Sequence, residues 1–194
     1  MQVVIITHER NCEGEIDTVK EILDQGLHLH IRKPHYSDSE LSNYLEQLPK
    51  ECRSQMVLHG NVQLAEAFQL GGFHLKSTQE HKLASNWSGS LSRSFHTWKA
   101  LKSYQWPLSY AFLSPVFNSI SKQNYKAQFD HEQLKKELTK DSNIPVLALG
   151  GVTVDLLRTV VEMGFAGAAL LGEVWTKPTV KERLQIIHQI KEYA

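Results

Sequence analysis

The side chains able to do chemistry in this chain recur just after short apolar runs. His30, Arg32 and Lys33 close one run, His59-Gly60-Asn61 a second, and His74 with Lys76 a third. Ser92, Ser94 and His96 follow together, then Ser114, Ser119, Ser121 and Lys122, and last Gly150-Gly151 and Gly172-Glu173. The set is rich in cations, hydroxyls and imidazoles and poor in carboxylates, with only Glu173 close by. It suits an anionic, phosphate-bearing ligand handled by acid–base chemistry. It does not suit a hard divalent cation, which takes carboxylate oxygens. Each residue also has a plain structural reading. Arg32 would serve as an ordinary ion-pair residue, Lys122 as a solvated charge, and His96 as a satisfied loop histidine. Glu173 would be a helix-start acid meeting the favourable end of the dipole. His28 and His30 fall on one side of a strand and would allow zinc, although a structural pair of histidines is the simpler reading.

The elements that must position these residues are clearest near the C-terminus. Val146 to Leu149 has no polar residue, as expected of a parallel strand covered on both faces. It ends in Gly150-Gly151, which allow a tight turn and close approach to a ligand, and Thr153 is placed to cap a helix over 154–163. The run Gly164 to Glu173 repeats the pattern. Two such units in succession suggest strands seven and eight of a (β/α)8 barrel, whose loops commonly bind phosphate.

Upstream, strands are expected at Gln2–Thr7, His28–Arg32, Gln55–Leu58, Phe73–Leu75, Ser90–Ser92 and Tyr110–Leu113. Helices are expected at Glu15–Gln25, from a Ser37–Glu40 capping box to about Leu48, and at Val62–Leu70, Gln79–Ala84, Thr97–Tyr104, Asp130–Thr139 and Val180–Tyr193. Strands alternating with helices imply parallel pairing through right-handed crossovers. The expectation is therefore an α/β fold, a single TIM-barrel domain over 1–194, with a doubly wound open sheet as the alternative. The polar stretch Pro115–Gln128 would be a lid over the mouth.

Composition narrows the function. The 194 residues carry 21 basic and 21 acidic side chains and no net charge, which does not suggest a nucleic-acid or anionic-membrane binder. No apolar run approaches a membrane span, and the chain opens directly on a strand without a visible signal peptide, so a cytoplasmic location is expected. Cys12 and Cys52 read as free thiols.

Taken in order, the strand ends resemble the thiamine phosphate synthase/TenI superfamily over nearly the whole chain. Leu29-His30-Ile31-Arg32-Lys33 is similar to the family's Q/H-x-R segment, and His59-Gly60-Asn61-Val62-Gln63-Leu64-Ala65 falls where the family has N-D-R-x-D-x-A. Gly72-Phe73-His74-Leu75 resembles G-V-H-L, and Ser92-Arg93-Ser94-Phe95-His96-Thr97 resembles G-x-S-x-H-S. Leu113 to Lys122 resembles G-P-V-F-x-T-x-T-K, and Ile144 to Val152 resembles I-P-V-x-A-I-G-G-I.

The resemblance implies one of two activities. A synthase joins a pyrimidine pyrophosphate to a thiazole phosphate with Mg²⁺, and a TenI-type tautomerase moves a proton on a thiazole carboxylate phosphate. The synthase's metal carboxylates would stand at Gly60 and Gln79, where this chain has a glycine and an amide. The expectation from sequence is therefore a tautomerase without a metal. The synthase with Mg²⁺ is the alternative, and a non-catalytic phosphate-binding barrel or a zinc hydrolase using His28, His30, His59 or His74 are further ones. In the tautomerase reading His96 is the general acid and base. Gly150, Gly151 and Gly172 bind the phosphate, and Arg32 holds the carboxylate. His30, Ser94, Ser119, Ser121, Lys122 and Glu173 complete the expected ligand contacts. The expected partner is a small-molecule thiazole phosphate, and the protein is a possible homo-oligomer.

Overall fold

The computed structural model describes residues 1–76, 87–118, 129–138 and 144–194. Eight strands form a closed parallel barrel in sequence order: β1 (Gln2–Ile6), β2 (His28–Ile31), β3 (Met56–His59), β4 (Gly72–Leu75), β5 (Ser90–Phe95), β6 (Tyr110–Leu113), β7 (Val146–Leu149) and β8 (Gly167–Leu170). β8 closes onto β1 with Val3 opposite Ala168. The helices are α1 (Glu15–Asp24), α2 (Asp38–Glu46), α3 (Val62–Ala67), α4 (Trp98–Lys102), α5 (His131–Leu138), α6 (Leu157–Glu162), α7 (Gly172–Trp175) and α8 (Val180–Lys191). The open doubly wound sheet is thereby excluded. Among the described residues no helix is long and apolar enough to cross a membrane, and both cysteines are free.

Local chemistry sets the element ends. At α2 the Ser37 side chain accepts from the Glu40 N–H while Glu40 answers the Ser37 N–H. Thr179 and Glu182 make the same reciprocal box at α8. Thr97 caps α4 by accepting from the Ala100 N–H. Thr153 behaves differently from expectation, since its side chain makes no cap bond. A 3-10 turn over Val154–Leu156 intervenes, closed by the Leu156 N–H on the Thr153 carbonyl, and α6 starts only at Leu157. A 3-10 helix at Lys50–Gln55 was not anticipated. α3 ends at Ala67, short of Leu70. The expected helix at 79–84 lies outside the described residues.

β5 runs on to Phe95, beyond the expected Ser92, because it is paired on both edges, Leu75 with Arg93 and Phe95 with Leu113. Its polar composition follows from what lies inside the barrel. Strand alternation sends Val4, Ile6, Tyr110, Phe112, Leu147 and Ala169 into one interior cluster. The facing positions of β2 to β5 are His30, His59, His74, Ser92 and Ser94, so that half of the interior is polar. The outward-facing residues, such as Val3, Ile5, Leu29 and Ile31, pack under the helices in the larger core.

Candidate functional site

The mouth of the barrel at the C-terminal strand ends opens into a cleft of about 990 Å³, large for a single small ligand. Arg32, Gly60, Lys76, Ser94, His96, Gly150, Gly151 and Gly172 all line it. His30 sits beneath the floor, fully buried, and is reached through His59. Glu173, in the first turn of α7, is not part of the cleft wall. Ser119, Ser121 and Lys122, and with them most of the expected lid, lie outside the described residues.

On one side of the mouth stands the glycine turn. Gly150 and Gly151 have φ of 90° and 69°. A β-carbon on Gly151 would lie 2.2 Å from the Asn118 carbonyl oxygen, and one on Gly150 would lie 2.9 Å from Cα of Pro115. Glycine is therefore required both by backbone conformation and by the segment following β6, which packs on the turn. The Val116 and Phe117 N–H groups donate to the carbonyls of Leu149 and Gly150.

Across the mouth, four and three strands away from β7, Gly60 and Lys76 stand at the ends of β3 and β4. The Lys76 ammonium lies 3.0 Å from where a β-carbon on Gly60 would be. Arg32 lies beside this side. The Thr7 hydroxyl, wholly buried at the end of β1, accepts from the Arg32 N–H at 2.9 Å. The Arg32 guanidinium pairs with Glu9. Arg93 lines the wall farther round, its guanidinium 4.8 Å from the Tyr104 ring centroid. Lys33 is committed elsewhere. Its ammonium is buried against Glu15, which also accepts from the Tyr44 hydroxyl at 3.0 Å.

The floor between the two sides is made of imidazoles. His59 and His74 stack with centroids 4.1 Å apart. Nδ1 of His30 is 2.9 Å from Nε2 of His59, and Nε2 of His30 is 2.5 Å from the Tyr110 hydroxyl. Nδ1 of His74 meets Ser92 at 2.8 Å, and its Nε2 meets Ser94 at 3.1 Å. Burial holds the His30 and His59 rings well below the usual imidazole range, with neighbouring imidazoles adding to the effect. Burial, followed by Arg32 and Arg93, brings His74 down to about 3. All three are neutral near pH 7. His28 is not part of this group, since it stands exposed at the other end of β2. His96 is separate and exposed at the rim. Its Nδ1 donates to the Ser114 carbonyl at 3.0 Å, which in the neutral ring puts the lone pair on Nε2.

Among the described residues the donor set does not fit the Mg²⁺ that the resemblance implies for a synthase. Gly60 offers no side chain, and a lysine ammonium stands over it. Among the described residues the carboxylates lining the cleft are Glu9 and Asp38. The first is paired with Arg32, and the second accepts from Asn61 at 2.7 Å. Gln79 lies outside the described residues.

Sequence reasoning singled out the strand ends but missed Glu9, Arg93 and Tyr110. Alternation could have shown that polar residues at every second position of β2 to β5 face inward together, but it singles out none of these three: Glu9 follows β1, Tyr110 is on β6, and Arg93 falls between the inward Ser92 and Ser94.

Comparison with known proteins places this arrangement in a family. The chain matches the family described as Thiamine monophosphate synthase over residues 3–174. It is 28% identical to the thiamine-phosphate synthase of Latilactobacillus sakei, over 91% of this chain and 88% of that protein. It is 27% identical to that of a Psychrobacter species, over 96% and 93%. Among solved structures, the thiamine phosphate pyrophosphorylase of Bacteroides thetaiotaomicron shares the fold with a TM-score of 0.83 and 24% identity, covering 100% of this chain and 97% of that one. A barrel with a glycine turn at β7, a cationic wall opposite and this family match over most of its length belongs to the thiamine monophosphate synthase family.

Proposed function

We propose that the cleft binds two phosphorylated small molecules and joins them, forming thiamine phosphate as the names of the relatives indicate. The observation that carries this reading is the pair of anion-receiving walls on opposite sides of the mouth. The Gly150-Gly151 turn with Gly172 receives the thiazole phosphate through backbone N–H groups. Arg32, Lys76 and Arg93 receive the pyrophosphate of the pyrimidine partner. The bond from the pyrimidine-bearing carbon to the pyrophosphate oxygen breaks, and its electron pair leaves on the pyrophosphate. The thiazole nitrogen supplies the pair for the new carbon–nitrogen bond. The three cations stabilise the charge that develops on the leaving group, and Ser94 with the neutral His59 and His74 offers hydrogen bonds to the heterocycle. Ser119, Ser121 and Lys122 keep their assignment to the ligand on the resemblance alone.

A second reading, the thiazole tautomerase, is favoured by His96. With Nδ1 donating to the Ser114 carbonyl, the neutral ring accepts a proton at Nε2, the form a general base needs. One experiment separates the two. Purified protein is given both phosphorylated precursors, with and without Mg²⁺, and thiamine phosphate is measured. Product formation supports the synthase. Its absence, together with proton exchange on thiazole carboxylate phosphate that is lost in His96→Asn, supports the tautomerase.

A further inference from the structure

We propose that His30, His59 and His74 form a three-histidine site for a borderline divalent transition metal such as Zn²⁺, Co²⁺ or Ni²⁺. This goes beyond the proposed reaction and does not depend on it. The histidines come from three adjacent strands, and one ring nitrogen from each lies within 4.8 Å of the others. Tetrahedral Zn–N bonds of about 2.0–2.1 Å place ligand nitrogens about 3.3 Å apart. His30 Nδ1 and His59 Nε2, at 2.9 Å, open by a few tenths of an ångström and give up the hydrogen bond between them, and His59 turns out of its stack on His74.

The surroundings match what ligating imidazoles require. The second nitrogen of His30 is held by the Tyr110 hydroxyl at 2.5 Å and that of His74 by Ser92 at 2.8 Å. Such contacts fix ring rotation; the remaining nitrogen of His74, Nε2, meets Ser94 at 3.1 Å, a contact the metal replaces. Neutral imidazoles bind a metal through the nitrogen lone pair. His59 needs only to carry its proton on Nδ1. All the donors are nitrogen, which selects against Mg²⁺ and Ca²⁺.

His59 and His74 line the cleft while His30 lies beneath it. The metal can therefore enter from the cleft, and its fourth position stays open toward it, as in sites that engage a ligand rather than closed structural ones. Arg32 and Lys76 act electrostatically on His59 and oppose a dication as well, so the affinity expected is micromolar.

The test uses the untagged, metal-stripped full chain titrated with Co²⁺. The expected result is one Co²⁺ per chain, with the visible bands of tetrahedral nitrogen coordination, displaced by Zn²⁺. His59→Gln and His74→Gln weaken binding at least about 100-fold. Ser92→Ala, which keeps all three ligands, weakens it about 10-fold. His188→Gln, at an exposed residue on α8 paired with Glu21, leaves it unchanged. Failure of the wild-type chain to take up Co²⁺ or Zn²⁺ at 1:1 overturns the proposal, whatever the variants do. Thiolate charge-transfer bands also overturn it, because they assign the metal to Cys12 or Cys52. Thiamine phosphate formation plays no part in any of these readouts.

Discussion

The Lys76 ammonium stands over Gly60, 3.0 Å from the point where a β-carbon on that glycine would begin. A positive charge therefore lies where the resemblance would put a metal-holding acidic residue. Pyrophosphate is expected to bind the metal-stripped protein about as tightly without Mg²⁺ as with it. Lys76→Met is expected to weaken that binding by about 10-fold, the scale of one charge-assisted hydrogen bond. Gly60→Asp should not create Mg²⁺-dependent binding, since the new carboxylate meets Lys76 first. It also forces a side chain onto φ of 95°, a strain of about 1–3 kcal/mol. Calorimetry in the presence and absence of Mg²⁺ checks each point, and strong Mg²⁺ dependence in the wild-type chain would sink this account.

The Gly151 turn makes a separate demand. Gly151→Ala places a β-carbon 2.2 Å from the Asn118 carbonyl at φ of 69°. The segment after β6 must move, and stability should fall by about 1–3 kcal/mol. Phosphate affinity should fall with it, because the same backbone lines the cleft. Thermal unfolding and inorganic phosphate titration measure the two effects. An alanine variant that unfolds at the wild-type temperature would contradict the packing described.

The buried histidines predict an acid-sensitive fold in metal-stripped protein. Their folded pKa values are depressed, so above the unfolded value of about 6.5 both states are neutral and stability is complete. As pH falls below about 6.5 the unfolded chain takes up protons that the folded one refuses. Stability is then lost down toward the folded values, about 3 for His74. Each such histidine steepens the loss by up to about 1.4 kcal/mol per pH unit. Urea unfolding at several pH values between 7 and 4 tests this directly, and His74→Gln should reduce the slope by one proton.

Lys33 and Glu15 are both almost completely shielded from solvent, with side chains 0% and 1% exposed. Among the described residues Glu15 Oε2 has no hydrogen-bond partner. Removing one partner leaves a lone buried charge, so Lys33→Met should cost about 3–5 kcal/mol. Replacing both partners with apolar residues should cost less than that single change. Chemical denaturation of the single and double variants distinguishes an isolated buried charge from simple loss of packing.

Much of this protein was legible in its sequence. The apolar runs, the capping box at Ser37 and the terminal glycines at Gly150-Gly151 are local signals. Strand and helix identity depends on residues a few positions apart, and the alternation of elements then permits few topologies. The same locality misled at Thr153, where a backbone 3-10 bond took the place of the expected side-chain cap. It also cut β5 short, because serines look unlike a strand until their inward neighbours are known.

Tertiary structure alone decided which strand-end residues meet. Barrel closure sets β2, β3 and β4 side by side, and so brings together His30, His59 and His74, from three separate parts of the sequence. It also decided the fate of two adjacent cations. Arg32 faces the cleft while Lys33 turns into a buried pair with Glu15, because successive side chains on an extended backbone point to opposite faces. The sequence by itself determined the barrel and the ring of strand ends. The neutral imidazole floor and the cation over Gly60 depend on distances between residues remote in the chain, which only the closed sheet sets.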